Sequence, residues 1–390
     1  MQALSLELID SIVCGLDVPS LKACSLAGSL VRAPCQRILL RSLSVRVADG
    51  PLRYRTSRPV NHIAARDLLT QSPHVAHYIT HLKVQFMSVT VDTAAADIVE
   101  ELLAKLLSVR YCTLRAGDTV NSGSVFNWAD ILPATFTDFL SHQQLEELWV
   151  DRIAAIPLPI FSQMLGATRF LSMIYVSLDA LEDHTRSTPL YQPSVETLLL
   201  NSKCDRVAEQ LCCPLFKSYM TILRHLSIVV WVSDDLHGPF LSSLPRTLRS
   251  IRFSFVVPYT TLILPNLSLP EVVSAEFVLP LGLIRPEYMN PIVSFLAPGV
   301  APVLGDIIIA NRYPMNWIFP PPELAALDSA LEAHPGSPRI RLRGTFFHDE
   351  DMQKFLSCAQ AGMPRAHQAG RLFIEQQRDN LKRLPQSEDQ

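Results

Sequence analysis

The sequence predicts an α/β chain in which a small N-terminal module of three helices precedes an irregular solenoid of parallel strands and helices. Three observations carry that expectation. The stretch from Leu4 to Leu43 holds three short amphipathic segments separated by turn residues; an apolar-x-x-apolar-x-apolar pattern recurs nine times between Ile79 and Ile309; and helical segments, several opened by proline, fill the intervals.

In the first segment Leu4, Leu8, Ile9, Ile12, Val13 and Leu16 recur at helical spacing, with Glu7, Asp10 and Ser11 on the other side. "DVPS" then makes a turn, in which Pro19 is expected to stop the first helix and Ser20 to cap the second, "LKACSLAGSL". Leu21, Cys24, Ala27, Leu30 and Val31 give that helix an apolar face. A third helix is expected to begin near Pro34, turning Cys35, Ile38 and Leu39 inward and Arg32, Arg37 and Arg41 outward. A module this small buries little apolar area by itself, which invites a binding role.

Residues 1–45 form this module, and residues 46–60, basic and proline-bearing, read as a connector. The array spans residues 61–376. Its strand motifs are Ile79/Leu82/Val84, Val109/Cys112/Leu114, Leu145/Leu148/Val150, Leu171/Ile174/Val176, Val195/Leu198/Leu200, Leu223/Leu226/Ile228, Leu248/Ile251/Phe253, Val272/Ala275/Phe277 and Leu304/Ile307/Ile309. Strands from Ile340 and Ala369 close the series. Helices are expected at Asp92–Ser108 and from Asp205, Pro286, Pro322 and Asp349. Regular leucine-rich repeats carry Asn or Cys three residues after the last apolar position, whereas Ile153, Lys203, Trp231 and Val256 stand there. The array is therefore an irregular leucine-rich-repeat solenoid. The charged tail, residues 377–390, reads as disordered.

Hydrophobic residues make up 48% of the 390 and charged residues 18%, a core-building composition, and the formal net charge of -3 argues against nucleic acid or anionic lipid as partner. "MQALSLELIDSI" lacks a signal peptide's basic start and unbroken apolar core. The apolar run Ile292–Ile309 is interrupted by Pro298, Gly299, Pro302, Gly305 and Asp306, so it reads as helix, loop and strand. Eight cysteines without a C-x-x-C pair suit free, mostly buried thiols, and with the N-terminus they point to an intracellular protein, cytoplasmic or nuclear.

Neither a nucleophile elbow, a phosphate loop, an H-E-x-x-H pair nor a dinucleotide fingerprint is present, so no catalytic residue, cofactor or metal is expected and the chain reads as a non-enzyme. His74, His77 and His81 run directly into a strand and would not share a face. Asp234/Asp235 and Asp349/Glu350/Asp351 fit helix starts, where acidic side chains meet the positive end of the dipole. A more promising surface is the column of side chains between and just after the last two apolar positions of each motif, which face the open, concave side. Lys83, Gln85, Trp149, Asp151, Tyr175, Asn201 and Arg252 stand there as candidate target contacts.

The opening stretch resembles the F-box-like domain of large fungal families, especially those of mushroom-forming fungi, in which it precedes a leucine-rich array. Leu4, Glu7, Leu8, Ile9 and Ile12 match in the first helix, Leu21, Ala23, Cys24, Ser25 and Leu26 in the second, and Pro34, Cys35, Gln36, Arg37, Leu39, Arg41 and Leu43 in the third. The resemblance implies that the module docks the Skp adaptor subunit of a cullin ubiquitin ligase, and that the array presents a protein target. Leu4, Leu8, Ile9, Ile12, Leu21, Leu26, Val31 and Leu39 are then the expected adaptor contacts, shared with the module's own core. Two positions depart from the family pattern: Ser5 replaces a proline, and Leu30 and Val31 replace an aromatic. They favour an alternative, a repeat scaffold whose degenerate module no longer binds the adaptor; a further one is a helical cap closing the end of the array, since terminal repeats need capping.

Overall fold

A computed structural model of the chain describes residues 5–48, 60–88, 91–117, 125–131, 136–179, 192–201, 204–230, 237–255, 267–280, 286–314, 322–346 and 348–376. The predicted tail, the acidic pair Asp234/Asp235 and Leu4 lie outside the described residues. The chain divides into two compact units, Met1–His184 and Thr185–Gln390, each of the α/β class.

The first unit opens with α1 (Leu6–Cys14), α2 (Val18–Ala27) and α3 (Ser29–Leu39). Their starts differ from expectation. Asp17, not Ser20, caps α2, its Oδ1 accepting from the Ser20 amide at 2.9 Å, and Pro19 sits in the first turn, where its missing N–H removes no intrahelical bond. Gly28 precedes α3, so Pro34 falls inside that helix rather than at its start.

The helical module also ends short of its predicted boundary at residue 45. After α3 the chain enters β1 (Ser42–Val47), so the expected connector from Arg46 begins inside a strand. Leu43, Val45 and Val47 are buried on one side of it while Arg46 points to the other, and that alternation is the strand signal which the basic composition hides. α3 also packs on the 3-10 turn Pro73–Tyr78, which joins the module to the sheet behind it.

β2 (Val60–Asn61) pairs with β1 at the sheet's edge. On its other side β1 meets β3 (His81–Phe86), followed in space by β4 (Tyr111–Ala116), β6 (Leu145–Asp151) and β8 (Thr168–Ile174), all parallel. The short β5 (Phe126–Asn127) and β7 (Ile153–Ala154) pair separately. In the second unit β9 (Thr197–Leu200), β10 (His225–Val230), β11 (Ser250–Phe255), β12 (Ser274–Leu279), β13 (Asp306–Pro314), β14 (Arg339–Thr345) and β15 (Leu372–Gln376) are parallel neighbours in chain order. Crossovers between parallel strands are as a rule right-handed, which for strands in chain order puts the connecting helices on one face of a sheet and leaves the other face to the alternate side chains.

The pairing lets each predicted motif be placed. Leu82, Cys112 and Leu148 are directly opposite one another, as are Leu198, Leu226, Ile251, Ala275, Ile307 and Ile340. The fourth motif is out of register: Leu148 meets Leu171 and Val150 meets Met173, so the repeat reads Thr168/Leu171/Met173 rather than Leu171/Ile174/Val176. Thr168 is buried, and its hydroxyl donates to the Phe170 carbonyl at 2.9 Å, which lets a polar residue hold an apolar slot.

One hydrogen-bond arrangement recurs where strands begin. The Arg41 carbonyl accepts from the amides of both Thr80 and His81 at 3.0 Å, and the Thr80 carbonyl accepts from Arg110 and Tyr111 at 2.9 and 3.0 Å. Arg110 does the same for Glu146 and Glu147. In the second unit Glu196, Arg224, Arg249 and Val273 repeat it for the entries of β10, β11, β12 and β13. Buried side chains supply what an asparagine ladder would in a regular array. Gln143 accepts from the Val109 amide at 3.1 Å and donates to the Leu106 carbonyl at 2.8 Å. Asp328 accepts from the amides of Arg365 and Ala366 at 3.0 and 2.8 Å, capping the helix Pro364–Gln368.

Gly336 lies where backbones approach: a Cβ there would stand 2.5 Å from the Leu304 carbonyl oxygen. Gly299 meets nothing within 4 Å. Gly336→Ala should lower the urea unfolding midpoint markedly while Gly299→Ala leaves it nearly unchanged; equal effects would remove the contact as the cause. Gln143→Leu, which strands a buried amide and carbonyl, is expected to cost about 1–3 kcal/mol in the same measurement.

Candidate functional site

Two surfaces carry the residues picked out in the sequence. On the helical module the predicted adaptor contacts divide. Ile9 and Leu21 are buried with Val13 and Cys35 in the module's core, and Val31 and Leu39 pack partly against it. Leu8 and Ile12, one turn apart on α1, are 54% and 57% exposed, and Leu26 at the end of α2 is 83% exposed. Two exposed apolar residues were not among the predicted contacts: Val18, and Leu30 at 73% exposure. Adjacent helical positions differ by about 100°, so of Leu30 and Val31 only one can turn inward. Ser5, at the family's proline position, caps α1, its Oγ accepting from the Leu8 amide at 3.4 Å.

The other surface is, in each unit taken by itself, the sheet face opposite the core positions, and pairing places its rows. In the first unit one row is Ser44, Lys83, Thr113, Trp149 and Ser172, and the next, toward the strands' carboxyl ends, is Arg46, Gln85, Arg115, Asp151 and Ile174. Lys83, Gln85, Trp149 and Asp151 therefore belong to the predicted column. Tyr175 does not: it follows β8 with φ at 55°, and the register correction puts Ser172 and Ile174 in its stead. Trp149 is half-buried, its indole 5.3 Å from the Phe170 ring and its Nε1 donating to Glu147 at 3.2 Å. His81 stacks on Tyr111 at 4.3 Å, and burial followed by the Arg41 charge lowers its pKa. His74 and His77 remain in the preceding 3-10 turn.

In the second unit Asn201 follows β9 and Arg252 lies on β11. Arg252 opens a run of ion pairs that sequence spacing did not disclose, because its partners come from strands far apart in the chain. Glu276 meets Arg252 and Arg343, each at 3.5 Å; Glu375 meets Arg343 at 3.0 Å and Arg341 at 3.1 Å; and Asp306 meets Arg341 at 3.1 Å and Arg339 at 2.9 Å. Burial works to raise the Glu375 pKa, but hydrogen bonds and charge from Arg343 and Arg341 outweigh it and hold the carboxyl below its ordinary range. Burial likewise works to lower the Arg341 pKa, and Asp306 and Glu375 more than reverse it.

All eight cysteines are free; Cys35, Cys112 and Cys204 are buried and the others are not, so the thiols are less enclosed than expected. Burial pushes the Cys112 thiol up to about 12. Among the described residues no group of His, Cys, Asp and Glu side chains gathers to hold a metal, and no helix is long and apolar enough to cross a membrane. No protein-family model matches the chain, and no curated protein matches its sequence.

Because the folded Glu375 pKa lies below the unfolded value, its pairing stabilises the fold above the unfolded pKa and is lost as pH falls through the folded one. Urea unfolding at pH values from about 6 to 3 should show that acid-side loss, and Glu375→Gln should make it shallower while lowering the midpoint at neutral pH. An unchanged acid slope in the variant would remove Glu375 from the account.

Proposed function

We propose that the chain is a substrate-recognition adaptor of a Skp-cullin-F-box ubiquitin ligase, binding the Skp adaptor through α1–α3 and a protein target through the open sheet faces. The observation that best supports this reading is the exposure of Leu8, Ile12 and Leu26 on a module whose core is made by Ile9, Val13, Leu21 and Cys35. Those exposed side chains occupy positions that the resemblance assigns to the adaptor contact. The module's small core spares them, so their apolar character is free for a partner. The chain's part in ubiquitin transfer is positioning: it holds the target near the chemistry that other subunits perform.

The alternative is a repeat scaffold without an adaptor, favoured by Ser5 at the proline position and by aliphatic Leu30 and Val31 at the aromatic one. Its array would still bind proteins through the same sheet faces.

Co-purification with a fungal Skp adaptor separates the two. Removing the module whole is a poor test, since α3 runs directly into β1. Leu8→Asp with Ile12→Asp is the better variant, because both side chains are exposed and the core stays intact. Stoichiometric capture by the native chain and at least about tenfold weaker capture by the double variant is the expected result. A well-folded native chain that captures no adaptor would transfer the assignment to the scaffold.

A further inference from the structure

Arg46, Gln85, Arg115 and Asp151 stand side by side at the carboxyl ends of β1, β3, β4 and β6, each directly opposite the next. With strands about 4.8 Å apart, Arg46 and Arg115 are about 10 Å apart at the backbone and flank Gln85 on the same face of the sheet. Asp151 is the one carboxylate in this row. It lies 3.2 Å from Arg115 and 3.9 Å from Arg152, and Arg115 and Asp151 are each only 17% exposed at the side chain. Burial raises the Asp151 pKa against the pull of both arginines, which marks the place as poorly hydrated.

Asp151 thus pairs with Arg115 and Arg152, while Arg46 stands three strands over from it. The Nε of Arg46 is buried without a hydrogen-bond acceptor, and among the described residues none forms an ion pair with Arg46; the Nε of Arg115 is buried too and meets Asp151 Oδ2 at 3.2 Å as an ion pair, out of line for a hydrogen bond. The Gln85 amide nitrogen is committed to the Gly117 carbonyl at 3.2 Å. A buried N–H donor left without an acceptor is destabilising, and guanidinium groups present planar donor forks suited to carboxylate and phosphate oxygens.

We infer that this row is an oxyanion-binding site, in which Arg46 and Arg115 donate to a phosphate or carboxylate group placed over Gln85, beside Asp151. The oxyanion arrives either free in solution or on the side chain of a bound polypeptide. The site does not depend on adaptor docking at α1.

Titration calorimetry on the full-length protein tests it, with ionic strength held constant by chloride. One arm uses inorganic phosphate and the other a short oligoglutamate peptide. Binding in the first arm identifies a free anion as a sufficient ligand, and binding in the second alone identifies an anion carried on a polypeptide. In either case Arg46→Gln and Arg115→Gln should weaken it by about tenfold or more, and Leu8→Asp with Ile12→Asp should leave it unchanged. Arg46→Gln loses no visible partner, so without anion its melting temperature should equal or exceed that of the native chain. Arg115→Gln leaves Asp151 with Arg152 alone, so Arg115→Gln with Asp151→Asn serves if the single variant folds poorly. Absence of binding in both arms, or binding indifferent to Arg46→Gln, would overturn the inference.

Discussion

A single backbone carbonyl placed before each of seven strands, accepting from two successive amides at the entry of the next, governs much of this molecule. Parallel strands joined by long crossovers have no tight turn to set their register, so something else must decide which residue meets which. Arg41, Thr80 and Arg110 in one unit, and Glu196, Arg224, Arg249 and Val273 in the other, do so. Thr80, Arg110, Arg224, Arg249 and Val273 each donate to the carbonyl before them and accept from the amides after them. A slip of one residue at any such point would turn the buried row outward and bring polar side chains to the helices.

The candidate sheet-face rows of both units follow from that register. Because Leu82, Cys112 and Leu148 align, the residues between them align too, and isolated polar positions in the sequence become continuous rows. In the second unit this brings Arg252, Glu276 and Arg341 onto successive or nearby strands, where each charge has an opposite neighbour across the ladder. Exposed pairs of this kind contribute little one at a time, and more when several share partners as Glu276, Asp306 and Glu375 do. In the first unit the same alignment sets Arg46, Gln85 and Arg115 in one row beside Asp151, which pairs with Arg115 and Arg152.

What could be read from sequence was whatever repeats at short range. The helices of the module, the α/β class and eight of nine strand motifs follow from apolar spacing, and the amphipathic segment from Asp92 begins where its aspartate caps the Ala95 amide. The fourth motif misled because Thr168 fills an apolar slot while Ile174 and Val176 continue the apolar pattern beyond it. β1 was hidden by its arginine and by the basic stretch that follows. The site was legible only as a column: membership of Lys83, Gln85, Trp149 and Asp151 came from the motif, whereas the partners of Arg252 come from β12, and those of Arg341 and Arg343 from β12, β13 and β15. Such pairings depend on register, which no local window contains.

Strand order that follows chain order also bears on how the protein is made. From β3 to β8 and again from β9 to β15, each strand's earlier neighbour has already been synthesised when the strand emerges. At translation rates of about 5–20 residues per second, successive strands reach the ribosome exit within seconds of one another. Within each of these runs no strand has to wait for the distant C-terminus before it can pair. Folding can therefore advance with translation, one crossover at a time, and at each step the free edge of the latest strand is the one that the next segment will cover.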